Sequence, residues 1–157
     1  MASSPSISIT RPNDTTAYTA LDVIGTATGS TAAKEFVDIA PVGQAFTVVS
    51  TELEIDAASV IASETSYSLY LYSVTPPSAL GDNTVWDLPS GDRASFLGSI
   101  ALGTPVDIGS TLYVRQNNVQ AMFKPTGSSV FAYLSTTAGY TPTALRVYKV
   151  TLHTVLA

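Results

Sequence analysis

Phe46-Thr47-Val48-Val49-Ser50-Thr51-Glu52-Leu53-Glu54-Ile55-Asp56 is the stretch whose reading decides the fold. Val49, Thr51, Leu53 and Ile55 fall on one side of an extended chain, and Ser50, Glu52 and Glu54 fall on the other. Side chains of a β-strand alternate between faces with a period of two. The pattern therefore describes a strand with one buried and one wet face, as in an antiparallel sheet.

Working outward, Tyr67–Thr75 alternates as well, but with substance on both sides. Tyr67, Leu69 and Leu71 share one face; Tyr70, Tyr72 and Val74 share the other. Such a strand is either central or covered by a partner. Further strand candidates are Ser6–Thr10, Phe36–Ala40, Ser99–Leu102, Thr111–Gln116, Val119–Phe123, Val130–Ser135 and Leu145–Val155. Turn chemistry separates them: Pro41-Val42-Gly43, Pro76-Pro77, Pro125-Thr126-Gly127 and Ala138-Gly139-Tyr140-Thr141-Pro142. Asn117-Asn118 fits a tight hairpin, because Asn tolerates positive φ. The helical candidate is short, over Ser90–Leu97, with Ser90 or Asp92 as the cap. The expectation is an all-β chain: an antiparallel β-sandwich of jelly-roll type with one or two short helical turns. Met1–Pro5 reads as a loose arm and residues 6–157 as one domain.

Composition narrows the function. The chain has 157 residues, seven Lys+Arg and twelve Asp+Glu, for a net charge of −5. Only 12 % of residues are charged, against about 25 % in an average soluble domain. Thr (21) and Ser (19) supply much of the polar surface instead. Seven basic residues on an acidic chain make a poor electrostatic match for nucleic acid. The hydrophobic fraction of 45 % argues against disorder. No apolar run reaches membrane-spanning length, and no secretory signal is evident, so synthesis in a cytoplasm is expected. Cysteine is absent, which removes disulfides, thiolate nucleophiles and Cys-ligated metals.

Little catalytic chemistry remains. His153 is the sole histidine, so multi-histidine metal sites are excluded. A Ser-His-acid triad survives the count, but Gly25-Thr26-Ala27-Thr28-Gly29 has Ala where a nucleophile elbow needs Ser. His153 is therefore read as a structural residue on its strand. Glu52 and Glu54 read as a solvated sheet face, and Asp82, Asp87 and Asp92 as turn and cap residues with no calcium-loop signature. No enzyme, cofactor or metal is expected. Tyr70, Tyr72 and Trp86 exceed what one core requires and are the candidate partner-interface residues. The same aromatics could line a sugar site.

Several strings resemble, as a set, small structural proteins of tailed bacteriophages associated with capsid decoration or cementing. They are Ser8-Ile9-Thr10-Arg11-Pro12-Asn13-Asp14-Thr15-Thr16-Ala17-Tyr18, Asp22-Val23-Ile24-Gly25, Tyr70-Leu71-Tyr72 with Thr75-Pro76-Pro77-Ser78-Ala79, Asp82-Asn83, and Trp86-Asp87-Leu88-Pro89-Ser90-Gly91-Asp92-Arg93. Phe131-Ala132-Tyr133-Leu134, Gly139-Tyr140-Thr141-Pro142 and Val150-Thr151-Leu152-His153 complete the set, which covers nearly the whole chain. The resemblance implies a jelly-roll protomer located on the virion and made in the host cytoplasm. It implies a homo-oligomer, with a trimer favoured, and the major capsid protein as partner. It brings no functional residues with it. The alternatives are a head fibre, neck or tail protein, and a carbohydrate-binding module using Trp86 and the tyrosines.

Overall fold

A computed structural model describes residues 1–157. Eleven strands form two antiparallel sheets and no helix forms. The six-stranded sheet runs β1 (Ala2–Ser3) and β2 (Ser6–Thr10), both on β11 (Val147–Leu156), then β5 (Phe46–Asp56), β9 (Thr111–Phe123) and β8 (Val106–Asp107). The five-stranded sheet runs β3 (Val23–Ile24) and β4 (Lys34–Phe36), both on β10 (Val130–Thr136), then β6 (Tyr67–Tyr72) and β7 (Phe96–Gly103).

The pairings are nested. β2 pairs with β11, β4 with β10, β5 with β9 and β6 with β7, all antiparallel. Joining β11 to β5 and β10 to β6 completes two four-stranded sheets from that nest. First with last, then inward, is the connectivity of a jelly roll. The fold expected from the alternation is thus the fold observed.

Alternation explains the core. Leu53, Ile55, Tyr148, Val150 and Leu152 of one sheet meet Tyr67, Leu69, Leu71, Ala132 and Leu134 of the other, all nearly inaccessible. Thr51 lies inward with Leu53 and Ile55, but Val49 does not share their face. A bulge separates Val48 from Ser50 against both neighbours, opposite the His153/Thr154 step on β11 and the Asn117–Ala121 span on β9. One extra residue inverts the phase of a strand. Phe46 and Val48 therefore point inward before the bulge, and Thr51, Leu53 and Ile55 after it.

The same bulge corrects the hairpin expected at Asn117-Asn118. Thr111 to Phe123 is one strand, paired with β5 along its length. Asn118 and Gln120 do take positive φ, 60° and 53°, but they use it to loop residues out of the ladder. The chain does not turn back there.

Two further expectations change. Residues 90–95 form consecutive turns in which the Phe96 N–H donates to the Asp92 carbonyl at 3.1 Å. They build no helix, because Phe96 and Leu97 already belong to β7. Met1–Pro5 is not a loose arm. Ala2 and Ser3 pair with Val155 and Thr154, and the Leu152 N–H donates to the Pro5 carbonyl at 3.0 Å. Unsatisfied edge groups on β11 account for that pairing.

Candidate interaction surface

The outer face of β6 carries the three aromatics singled out from the sequence, and the structure brings them together. Tyr70 and Trp86 stack with ring centroids 3.7 Å apart and planes 8° apart. The Trp86 indole Nε1–H donates to the Tyr72 hydroxyl at 3.0 Å. Phe96 and Tyr133 pack edge-on or tilted against Tyr72, at 5.3 and 5.7 Å. The long β6–β7 connection thus folds back over its own strand. Two backbone bonds fix its inner turn, from Val23 N–H to the Thr84 carbonyl and from Trp86 N–H to the Leu21 carbonyl. The buried Tyr133 hydroxyl donates to the Ser78 carbonyl at 2.9 Å and lies 3.2 Å from the Leu80 N–H, which donates to it.

This arrangement alters the meaning of the two-faced strand. Its second apolar face is covered from within the chain. Tyr72 is wholly buried and Tyr70 nearly so, so neither side chain offers area to a partner; Trp86 alone keeps an accessible edge. The expectation that all three form a partner interface is corrected accordingly. A sugar platform needs an open aromatic face, and the Tyr70 ring is stacked under Trp86.

Polar candidates are engaged structurally. Glu52 and Glu54 lie on the outer face of the six-stranded sheet, each directly opposite a basic residue. Glu52 Oε1 is 2.9 Å from Arg115 Nη1, and Glu54 Oε2 is 3.3 Å from Lys149 Nζ. Cross-strand pairs of this kind contribute a few tenths of a kcal/mol, up to about 1. Asp82, Asp87 and Asp92 do not converge. Asp82 Oδ1 accepts from the Tyr18 hydroxyl and the Gly25 N–H, Asp92 Oδ1 from the Ser78 N–H, and Asp87 Oδ1 from its neighbour Leu88.

His153 stands between Ser4 and Glu52. Nδ1 is 2.9 Å from Ser4 Oγ, and Nε2 faces Glu52 Oε2 at 3.5 Å. The order resembles nucleophile, base and carboxylate. However, Glu52 also accepts from Arg115 and from the Tyr113 hydroxyl, and the surface has no cavity to hold a substrate. The geometry serves as a clasp that ties the first residues of the chain to β11.

Sequence reasoning missed a buried polar chain at the end of the sandwich where residues 11–22, 57–66 and 137–146 connect strands. Arg146 and Glu64 are both fully buried and meet through two contacts of 3.0 Å. Glu64 also accepts from the Tyr67 hydroxyl and the Ile61 N–H. The Tyr67, Tyr140 and Tyr148 hydroxyls continue in line, 2.9 and 2.7 Å apart. Each phenol has one hydrogen. Tyr67 faces both the Glu64 carboxylate and the Tyr140 hydroxyl, so it gives its hydrogen to one of them at a time. Alongside, Arg11 donates from Nε to the Tyr18 hydroxyl at 2.6 Å, and from Nη1 to the Asp14 and Thr143 carbonyls at 3.0 and 3.1 Å. Burial pushes the phenol pKa values of Tyr18, Tyr67 and Tyr140 well up; it also raises that of Tyr148, where the Arg146 charge and the Tyr140 bond work against it.

A sequence signal for this chain existed. Arg146 shares the inward parity of Tyr148, Val150 and Leu152, and Arg11 that of Ile7 and Ile9. A charged residue on a core-facing parity calls for a buried partner.

No family model matches the chain, and no curated protein matches it. Among solved structures it is similar to the infectious bursal disease virus Gx strain, at 11 % identity and a TM-score of 0.40, over 98 % of this chain and 32 % of that one. Turnip yellow mosaic virus gives 11 % identity and 0.31, over 98 % and 79 %. The CBM22-1–GH10 modules of Clostridium thermocellum xylanase 10B give 6 % identity and 0.34, over 96 % and 26 %. This chain therefore spans about a third of the first of these chains. Likenesses this slight carry no argument about function, and the jelly-roll assignment rests on the strand pairing described above.

Proposed function

We propose that this chain is a non-enzymatic structural protein of a virion, a decoration or cement protein that binds the outer capsid surface across the seams between capsomers. Its partners on this reading are the major capsid protein and further copies of itself. The observation that carries the reading is a jelly roll in which His153, Asp82, Glu64 and Arg146 are engaged within the chain. Outward lie many hydroxyl side chains and scattered valines, among them Val42, Val74, Val85 and Val106. Fold alone does not decide function, since jelly rolls serve capsids and lectins alike. The sequence strings resembling tailed-phage structural proteins favour the capsid.

Cementing is a matter of differential binding. The protein must prefer the assembled lattice to free capsid subunits, or it would obstruct assembly. Each copy then adds buried area across a seam, and many copies together resist internal pressure.

The charge distribution bears on how it would bind. Four of the seven basic residues (Arg11, Arg115, Arg146 and Lys149) are already paired within the chain. Contacts to the capsid should therefore be mainly apolar and hydrogen-bonded. Raising salt from about 0.1 M to about 1 M shortens the Debye length from roughly 10 Å to roughly 3 Å. Purified protein added to particles that lack it should bind and stay bound across that range, as read by co-sedimentation. The loaded particles should survive heating or osmotic shock better than bare ones. Release in high salt would show an electrostatic contact, and equal robustness of bare particles would remove the cement role.

A further inference from the structure

Sheet edges invite pairing with other chains, and proteins protect them by shortness, charge, proline, bulges or cover. Nearly every edge of this sandwich carries such a device. β8 has two residues and bears Asp107. β4 has three residues, of which Lys34 and Glu35 are charged. β3 is covered by residues 83–86, through the Val23–Thr84 and Asn83–Val23 backbone bonds. β7 is bent by glycines at positive φ, Gly98 at 140° and Gly103 at 84°, and its pairing is interrupted twice. The exposed stretch of β9 is broken by the loop-out at Asn118–Gln120.

β2 is the exception. Ser6-Ile7-Ser8-Ile9-Thr10 contains no charge, proline, glycine, bulge or positive φ, and pairs in unbroken register with β11. The direction of its backbone groups follows from its flanks. Leu152 N–H donates to the Pro5 carbonyl, and Arg11 N–H donates to the Arg146 carbonyl. Odd-numbered residues thus turn their N–H and C=O toward β11. In an antiparallel pair, alternate residues turn theirs the other way. Ser6, Ser8 and Thr10 therefore direct their N–H and C=O groups outward, and no backbone bond outside the sheet ladders reaches any of them.

We propose that the β2 edge joins a second copy of this chain, antiparallel and two-fold about Ser8, making one continuous sheet from the two six-stranded sheets. In that register Ser8 faces Ser8 of the other copy, and Ser6 faces Thr10 in both directions. Directly opposed residues of a hydrogen-bonded pair exchange both bonds, so every outward group of the strand is satisfied. A second copy fits because the edge is its own complement: only small hydroxyl side chains oppose one another, with no charge to repel. Two-fold pairing also closes, which leaves no free copy of the edge for open growth. This inference goes beyond the virion reading and stands without it. The outer face of β6 is covered by its own loop and has no role in this joint.

Charge at Ser8 provides the test. Ser8 stands directly opposite Lys149 on β11. Ser8→Glu therefore gains a cross-strand ion pair within its own copy, yet sets two carboxylates against each other across the two-fold. Ser8→Lys sets two ammonium groups there. Sedimentation velocity of the wild-type chain over rising concentration should show a shift from 16.4 kDa to twice that mass. Each variant alone should remain at the monomer mass with its β-type circular dichroism intact, and an equimolar mixture of the two should recover the dimer. A wild-type chain that stays monomeric at every concentration overturns the proposal. So does a dimer indifferent to both substitutions, which would place the joint elsewhere.

Discussion

Glu64→Gln should be the most damaging conservative substitution in the molecule, lowering unfolding stability by about 3–5 kcal/mol. The variant keeps the shape of the side chain but leaves the Arg146 guanidinium buried without a counter-charge. It also gives the Tyr67 hydroxyl and the Ile61 N–H a poorer set of acceptors. A typical domain has only about 5–15 kcal/mol in total, so the loss is a large share of that. Arg146→Met should cost a similar amount by stranding the carboxylate. The combination Glu64→Leu with Arg146→Met should be far milder than the sum, because a buried ion pair replaced by packed apolar side chains is often neutral. Urea denaturation of Glu64→Leu, Arg146→Met and their combination reads the coupling. Additive losses would mean that the two groups are not paired in solution.

Alkali should unfold the protein steeply, beginning about one pH unit or more above 10. Tyr18, Tyr67, Tyr140 and Tyr148 are buried, and burial raises each phenol pKa. In the unfolded chain they titrate near 10. The sign follows directly. Above that pH the unfolded state has released protons that the folded state still holds, so stability falls as pH rises. Tyr18, Tyr67 and Tyr140, whose rise is large, each remove about 1.4 kcal/mol per pH unit, roughly 4 together, and Tyr148 acts in the same direction. Tyr72, pushed up to about 12 chiefly by burial, adds to the same trend. Below the unfolded value these groups leave stability unchanged. Phenolate absorbance should therefore appear in step with loss of near-ultraviolet circular dichroism. Smooth titration of these tyrosines near pH 10 in a folded protein would show that the cluster is open to solvent.

Much of the fold was legible because it rests on alternation, a local property. The limits of β5 coincide with the run that displays the period. The same reasoning misplaced Val49, since a bulge is fixed by the register of β9 and β11 and leaves no mark in the alternation itself. Asn117-Asn118 shows a subtler limit. Its composition does indicate positive φ, which either a hairpin or a loop-out can use, and partner strands decide between them. The aromatics of β6 were recognised as surplus to one core, but their cover lies up to sixteen residues away in Trp86 (86 − 70 = 16). Glu64 and Arg146 are separated by 82 residues, so their union is visible only once the strands on either side are placed. The buried arginines were hinted at by parity alone.

The virion reading is the central claim, and the most direct measurement is a cryo-EM reconstruction of the particle at a resolution that traces strands. The account predicts jelly-roll density of this chain on the outer capsid surface, bridging neighbouring capsomers and repeated over the whole lattice. A particle without this chain, or one that carries it only in a single ring at the neck or tail, would contradict it.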